Sequence, residues 1–189
     1  MEYAAGTGRL EHGSQAMVRN ETGSQLYLII PADMNRDLVV QFAESEDFGN
    51  IACALLQSGH DGKVERGHAE TLLRFAHAAN IPLLMENDIS AAADLGAGGV
   101  HIPAGEDLYT EARNALGDDA IIGVECGLSR HAGLTFGEMG ADYIAFRESA
   151  VDTPCEVSLG LEEMIAWWSE ISNVTGVAMV LIPVFPGAT

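Results

Sequence analysis

The stretch Ile81-Pro82-Leu83-Leu84-Met85-Glu86-Asn87-Asp88-Ile89-Ser90-Ala91-Ala92-Ala93-Asp94-Leu95-Gly96-Ala97-Gly98-Gly99-Val100-His101-Ile102 decides the fold. It opens on a short apolar run, turns through three polar residues, passes a helical segment at Ile89–Leu95, stops on glycines and enters a second apolar run. Runs that are apolar throughout, rather than alternating, belong to strands covered on both faces. A strand, a short helix and a second strand in this order form the unit of a parallel sheet.

Working outward, the same unit recurs from residue 26 onward. Strands are expected at Leu26–Ile30, Ile51–Leu56, Ile81–Met85, Gly99–Ile102, Ala120–Val124, Asp142–Phe146 and Val177–Ile182. Helices are expected at Arg36–Glu44, Glu65–Ala79, Ile89–Leu95, Asp107–Leu116, Gly133–Met139 and Leu161–Ile171. An open doubly wound sheet and a closed (β/α)8 barrel both fit this order. Repeats of roughly 20–30 residues, without a Gly-rich first turn, favour the barrel. Such a barrel takes about 250 residues. This chain has 189, and only seven follow Ile182. The expectation is therefore an α/β fold of the (β/α)8 TIM-barrel type, incomplete at the C-terminus with about seven strands. Residues 1–24, rich in Gly, Ser and charge, read as a flexible tail, and residues 25–189 as one domain. An unclosed barrel exposes a sheet edge, which a second copy of the chain would cover, so a homodimer is expected.

Composition narrows the function. Hydrophobic residues make up 48% and charged residues 20%, an ordinary globular balance. A chain this long buries about 70% of its unfolded surface and needs no staples. Three cysteines, Cys53, Cys126 and Cys155, then read as thiols of a reducing cytoplasm. The formal net charge is −19, and Lys63 is the sole lysine. That surface repels nucleic-acid phosphates and anionic lipid, so neither nucleic acid nor membrane is an expected partner. No apolar stretch approaches the ~20 residues of a membrane span. A small anionic substrate would need a metal, backbone amides or Arg to offset the field.

In parallel α/β folds chemistry gathers at the carboxyl ends of strands. The third strand runs into Glu86-Asn87-Asp88 and the fourth into Glu106-Asp107. Asp88 and Asp107 would share a rim and suit Mg²⁺, which takes few protein carboxylates and keeps its waters. The alternative is that each aspartate caps the helix that follows it. After the fifth strand, Cys126-Gly127-Leu128-Ser129-Arg130-His131 offers a tight turn, a capping serine and an arginine, together a small anion nest. Cys126 with His131 as a nucleophile pair competes with a packed thiol and a solvated histidine. His60, Asp61, Glu65 and His68 carry metal-ligand types without a ligand spacing.

Taken in order, Leu26–Ile29, Ile81–Asp88, Gly99–Ile102 with Glu106-Asp107, Ile121–Val124, Cys126–His131 and Gly140–Ile144 resemble the thiamine phosphate synthase and thiazole tautomerase family of (β/α)8 barrels. The resemblance covers about residues 26–172. It implies a transferase of thiamine biosynthesis that joins a pyrimidine diphosphate to a thiazole phosphate and releases pyrophosphate with Mg²⁺. On that resemblance Asp88 and Asp107 are the metal carboxylates, and Asn87 contacts the diphosphate. Arg130 acts on the reacting phosphates, with Arg130 and Arg147 neutralising substrate charge.

The chain departs from the family's pattern at the phosphate end. Ala54–Gly59 stands where a Gln-x-Arg-x-Lys run is expected, with Lys63 and Arg66 just downstream. Glu125 replaces a serine, Arg147–Pro154 replaces a Gly-Pro segment, and Val177–Pro183 lacks a glycine turn. A catalytically impaired paralogue that binds a ligand or partner at the same mouth is therefore the alternative.

Overall fold

A computed structural model describes residues 26–34, 37, 51–148 and 160–179. The expected tail at 1–24 and most of the expected helix at Arg36–Glu44 lie outside the described residues. Seven strands run in chain order: β1 Leu26–Ile30, β2 Ile51–Leu56, β3 Leu83–Glu86, β4 Gly99–Pro103, β5 Ile121–Glu125, β6 Tyr143–Phe146 and β7 Thr175–Ala178. All neighbours pair in parallel, in the order β1-β2-β3-β4-β5-β6-β7. The described helices between them are α1 Arg66–Ala79, α2 Ile89–Leu95, α3 Glu106–Leu116, α4 Arg130–Met139 and α5 Leu161–Ile171. The fold is the expected TIM-barrel type, with seven strands among the described residues.

Side chains alternate along the strands, so most strands feed two cores. One lies between sheet and helices and contains Leu56, Met85, Val100, Ile102, Ile122, Val124, Ile144 and Phe146. The other gathers Cys53, Leu55, Leu84, Tyr143, Ala145 and Met179, with Tyr27 and Ile29 against them. That second group joins β1 and β2 to β6 and the end of β7, which requires the sheet to curl round on itself.

The helices begin and end where local chemistry dictates. Glu65 caps α1 by accepting from Gly67 and His68 N–H, and Asn80 closes it in the left-handed region. Ser129 caps α4 through Ala132 N–H, so that helix starts at Arg130, three residues before the apolar pattern suggests. The last strand also starts early, at Thr175 rather than Val177. Thr175-Gly176 reads as a turn, yet it pairs with Tyr143-Ile144. A Cβ on Gly176 would stand 2.7 Å from the Trp168 ring, so only glycine lets β7 lie this close to α5. Trp168 is fully buried, and its indole N–H is satisfied by Val174 O at 2.9 Å. Among the described residues no helix is long and apolar enough to cross a membrane.

Candidate active site at the carboxyl ends of the strands

Polar side chains gather at inward-facing positions, Tyr27, His101 and Tyr143 within the strands and Glu86, Glu125 and Arg147 at their carboxyl ends. Tyr27 on β1, Glu86 on β3, His101 on β4, Glu125 on β5, Tyr143 on β6 and Arg147 just beyond it carry the chemistry. Tyr27 Oη and Tyr143 Oη lie 2.7 Å apart, and Tyr143 Oη is 2.8 Å from His101 Nδ1. His101 Nε2 approaches Glu125 Oε2 at 3.4 Å, and the Arg147 guanidinium donates to that same oxygen. Glu86 Oε2 accepts from the N–H and hydroxyl of Ser58 at 3.1 and 3.3 Å, which ties the loop after β2 to the mouth.

Packing makes room for this network. A Cβ on Gly123 would fall 1.8 Å from Tyr143 Cζ, so the bare β5 backbone is the seat of the Tyr143 ring. His101 stacks on that ring with centroids 5.8 Å apart, and Tyr27 meets it edge-on at 5.6 Å. Burial pushes the His101 pKa down to about 4; Glu86 works against the shift and Arg147 with it. The imidazole is therefore neutral at neutral pH. Burial likewise holds the Tyr27 and Tyr143 hydroxyls protonated well above their ordinary range.

The residues singled out from the sequence fall at different places around this mouth. Asn87 is exposed, sits in the left-handed region at φ 57° and donates its N–H to His101 O at 2.9 Å. Asn tolerates that conformation better than most residues, which is one reason for its presence. Asp88 caps α2 through Ala91 N–H at 3.1 Å and accepts from Val64 N–H at 3.1 Å. The Lys63 ammonium lies 3.5 Å from the same carboxylate, so the loop after β2 does fold back, while Arg66 pairs with Asp94 on the surface. Burial raises the Asp88 pKa, but the two N–H groups and Lys63 outweigh it and hold the carboxyl below its usual value.

Asp107 is exposed on the first turn of α3, where its charge favours the helix N-terminus. Arg130 opens α4 and lies over the Trp167 ring at 4.8 Å, apart from the inward network. Only Arg147, among the singled-out residues, has its side chain in that network. Cys126 is buried with its pKa pushed up to about 12 by burial, which suits the packed thiol and not a nucleophile.

In this arrangement Asp88 is engaged by protein donors, where a divalent cation shared with Asp107 would need its oxygens. Asp88 spends its oxygens on two backbone N–H groups and an ammonium, and a cation there would displace Lys63. Among the described residues no group of three or more His, Cys, Asp or Glu is placed to hold a metal. Sequence reading left His101, Glu125 and the two tyrosines without a role. The available signal was polar residues at the inward positions of otherwise apolar strands.

A parallel barrel with polar groups inside its ring of strands and charged groups at their carboxyl ends is the architecture of a small-molecule site. Comparison with known proteins agrees. The family model described as thiamine monophosphate synthase matches residues 26–183. The thiamine-phosphate synthase of Erythrobacter litoralis is 31% identical over 169 residues, covering 86% of this chain and 79% of that protein. That of Rhodospirillum centenum is 33% identical over 162 residues, covering 84% and 78%. Among solved structures, a thiamine phosphate pyrophosphorylase from Pyrococcus furiosus superposes with a TM-score of 0.61 at 17% identity, over 84% of this chain and 76% of that one. The chain belongs to the thiamine monophosphate synthase family.

Proposed function

We propose that this protein works in thiamine biosynthesis as a thiamine-phosphate synthase, joining a pyrimidine diphosphate to a thiazole phosphate and releasing pyrophosphate. The observation that carries this is the family match over residues 26–183, whose barrel mouth here holds a planar aromatic group beside an arginine. Breaking the bond to pyrophosphate sheds negative charge, so donors that face the departing oxygens do most of the work. Arg147 supplies such donors from the mouth, Asn87 orients the diphosphate at the neighbouring strand end, and Arg130 meets outer phosphate oxygens after leaving Trp167. Tyr27, His101 and Tyr143 form the wall against which a flat ring lies.

Mg²⁺ belongs to this proposal as the family's cofactor, with Asp88 and Asp107 its carboxylates from the sequence. To take the ion, Asp88 would have to exchange its Lys63 contact for the metal while keeping the Val64 and Ala91 N–H groups. Calorimetry on the wild type and Asp107→Asn, with and without pyrophosphate, decides the matter. Mg²⁺ binding that strengthens with pyrophosphate and vanishes in the variant supports the metal site. Its absence in a folded sample removes that site.

The reaction itself is tested by pyrophosphate release from the two phosphorylated substrates. Release supports the transferase; none, from a folded protein that still binds one of them, supports the impaired paralogue. We propose a cytoplasmic protein and a homodimer; the dimer is supported by the outer strands β1 and β7, which each pair on one side among the described residues, and such edges seek cover. Light scattering that finds a monomer overturns the dimer.

A further inference from the structure

The network across the mouth has a direction that its chemistry fixes. A carboxylate only accepts, so the contact between His101 Nε2 and Glu125 requires the proton on Nε2. A neutral imidazole carries one N–H, so Nδ1 must accept, and Tyr143 donates to it. The Tyr143 proton is then spent, and Tyr27 must donate to the Tyr143 oxygen. The order is Tyr27 to Tyr143 to His101 to Glu125, with Arg147 donating to Glu125 from the other side.

Both ends of this chain are left open. Tyr27 Oη has lone pairs and no proton to give. Arg147 spends one nitrogen on Glu125, its Nε is buried without an acceptor, and its side chain is 29% exposed. A guanidinium has five donors, and among the described residues a single carboxylate oxygen leaves most of them unused. The groups facing His101 from other strands are Tyr27, Glu86, Glu125, Tyr143 and Arg147.

We propose that Glu125 is the positioning residue of this mouth: it holds Arg147 across the opening to receive an oxygen of a phosphorylated substrate, and it orders the His101–Tyr143–Tyr27 chain so that Tyr27 accepts from an N–H of the substrate's ring. This rests on the transferase assignment for the identity of the substrate, but not for the geometry.

Two readouts that need no turnover test it. The first is the tautomer of His101, read by nitrogen NMR of histidine-labelled protein. The wild type and Glu125→Gln should carry the proton on Nε2, because the glutamine carbonyl still accepts. Glu125→Leu should move it to Nδ1 and reverse the hydroxyl chain. The second is affinity for inorganic pyrophosphate. Simple charge arithmetic says that removing a carboxylate tightens anion binding. Positioning says the opposite: Glu125→Leu should weaken it about tenfold, the scale of one charge-assisted hydrogen bond.

A wild-type proton on Nδ1, a tautomer unchanged in Glu125→Leu, wild-type protein that does not bind pyrophosphate, or tighter binding in that variant each overturns the proposal. If both readouts hold and the wild type still releases no pyrophosphate from substrates, the transferase assignment fails and the positioning role stands.

Discussion

Replacing Asp88 separates a structural carboxylate from a metal ligand. The side chain is buried and receives N–H groups from Val64 and Ala91, each at 3.1 Å. Asp88→Ala removes a helix cap, a loss of about 1 kcal/mol. It also strands the Val64 N–H beneath the loop, at about 1–3 kcal/mol. The sum is about 2–4 kcal/mol, against a total stability of about 5–15 kcal/mol for an ordinary domain. For a chain of this size that lowers Tm by roughly 4–16 °C. Asp88→Asn keeps the shape but turns an amide toward one donor, which costs about 1–2 kcal/mol.

The pH dependence has a definite sign. The folded carboxyl ionises below its ordinary value of 3.8, so its contribution is present above that pH and fades as pH falls through the folded value. Urea unfolding of wild type and Asp88→Asn, followed by tryptophan fluorescence, should show a gap at neutral pH that closes below about pH 4. A gap under about 0.5 kcal/mol, or one indifferent to pH, would refute the capping role. A carboxylate kept for metal alone would instead leave metal-free stability untouched.

Other consequences are equally direct. Tyr143→Phe removes the hydroxyl shared by Tyr27 and His101 and should cost about 1–3 kcal/mol with the circular dichroism unchanged; a neutral result would mean water replaces it without loss. The raised Tyr27 and Tyr143 hydroxyls are unionised in the folded chain, so their stabilisation is lost as pH climbs past the unfolded value. Phenolate absorbance from these two should appear only with alkaline unfolding above about pH 10, and its appearance in a still-folded sample would contradict their burial. Gly123→Ala drives a methyl into the Tyr143 ring and should cost about 1–3 kcal/mol or more. Combined with Tyr143→Leu the two losses should fall short of additive, whereas full additivity would show that the ring does not rest there. Burial raises both Cys53 and Cys126 to about 12. In a Cys155→Ser variant a disulfide reagent should therefore modify neither until the chain unfolds, and rapid native labelling would show an open core.

The fold was legible because apolar runs and their stops are local signals. Leu26–Ile30, Ile51–Leu56 and the helices at Ile89–Leu95 and Leu161–Ile171 have the bounds their patterns suggest. Thr175-Gly176 was not legible, because the reason for its strand is Trp168, a contact made by packing and not by spacing. The capping alternative for Asp88 was readable in advance from Asn87-Asp88 before a helix. What sequence did not convey is that the loop after β2 returns to the same carboxylate. The pairing of Glu125 with Arg147 depends on β5 and β6 lying side by side, with Glu125 level with Ala145. Two residues 22 apart show no relation until that register exists. Arg130 was the opposite case: its place in a glycine-serine turn suggested anion binding, and an unremarked Trp167 took its guanidinium instead.

The loop that carries Lys63 leaves one more consequence, this time for proteolysis. Lys63 is the only lysine, so a lysine-specific protease has one bond to cut, Lys63–Val64. Both halves of that peptide are tied down: Lys63 O accepts from Gly59 N–H at 2.8 Å, and Val64 N–H is given to Asp88 at 3.1 Å. A protease needs an extended, free segment, so cleavage must wait for the loop to come away from the strand ends. When opening is fast beside cutting, the rate of that single cut reports the open population. One residue thus makes the molecule its own gauge of how often the border of its mouth unlatches.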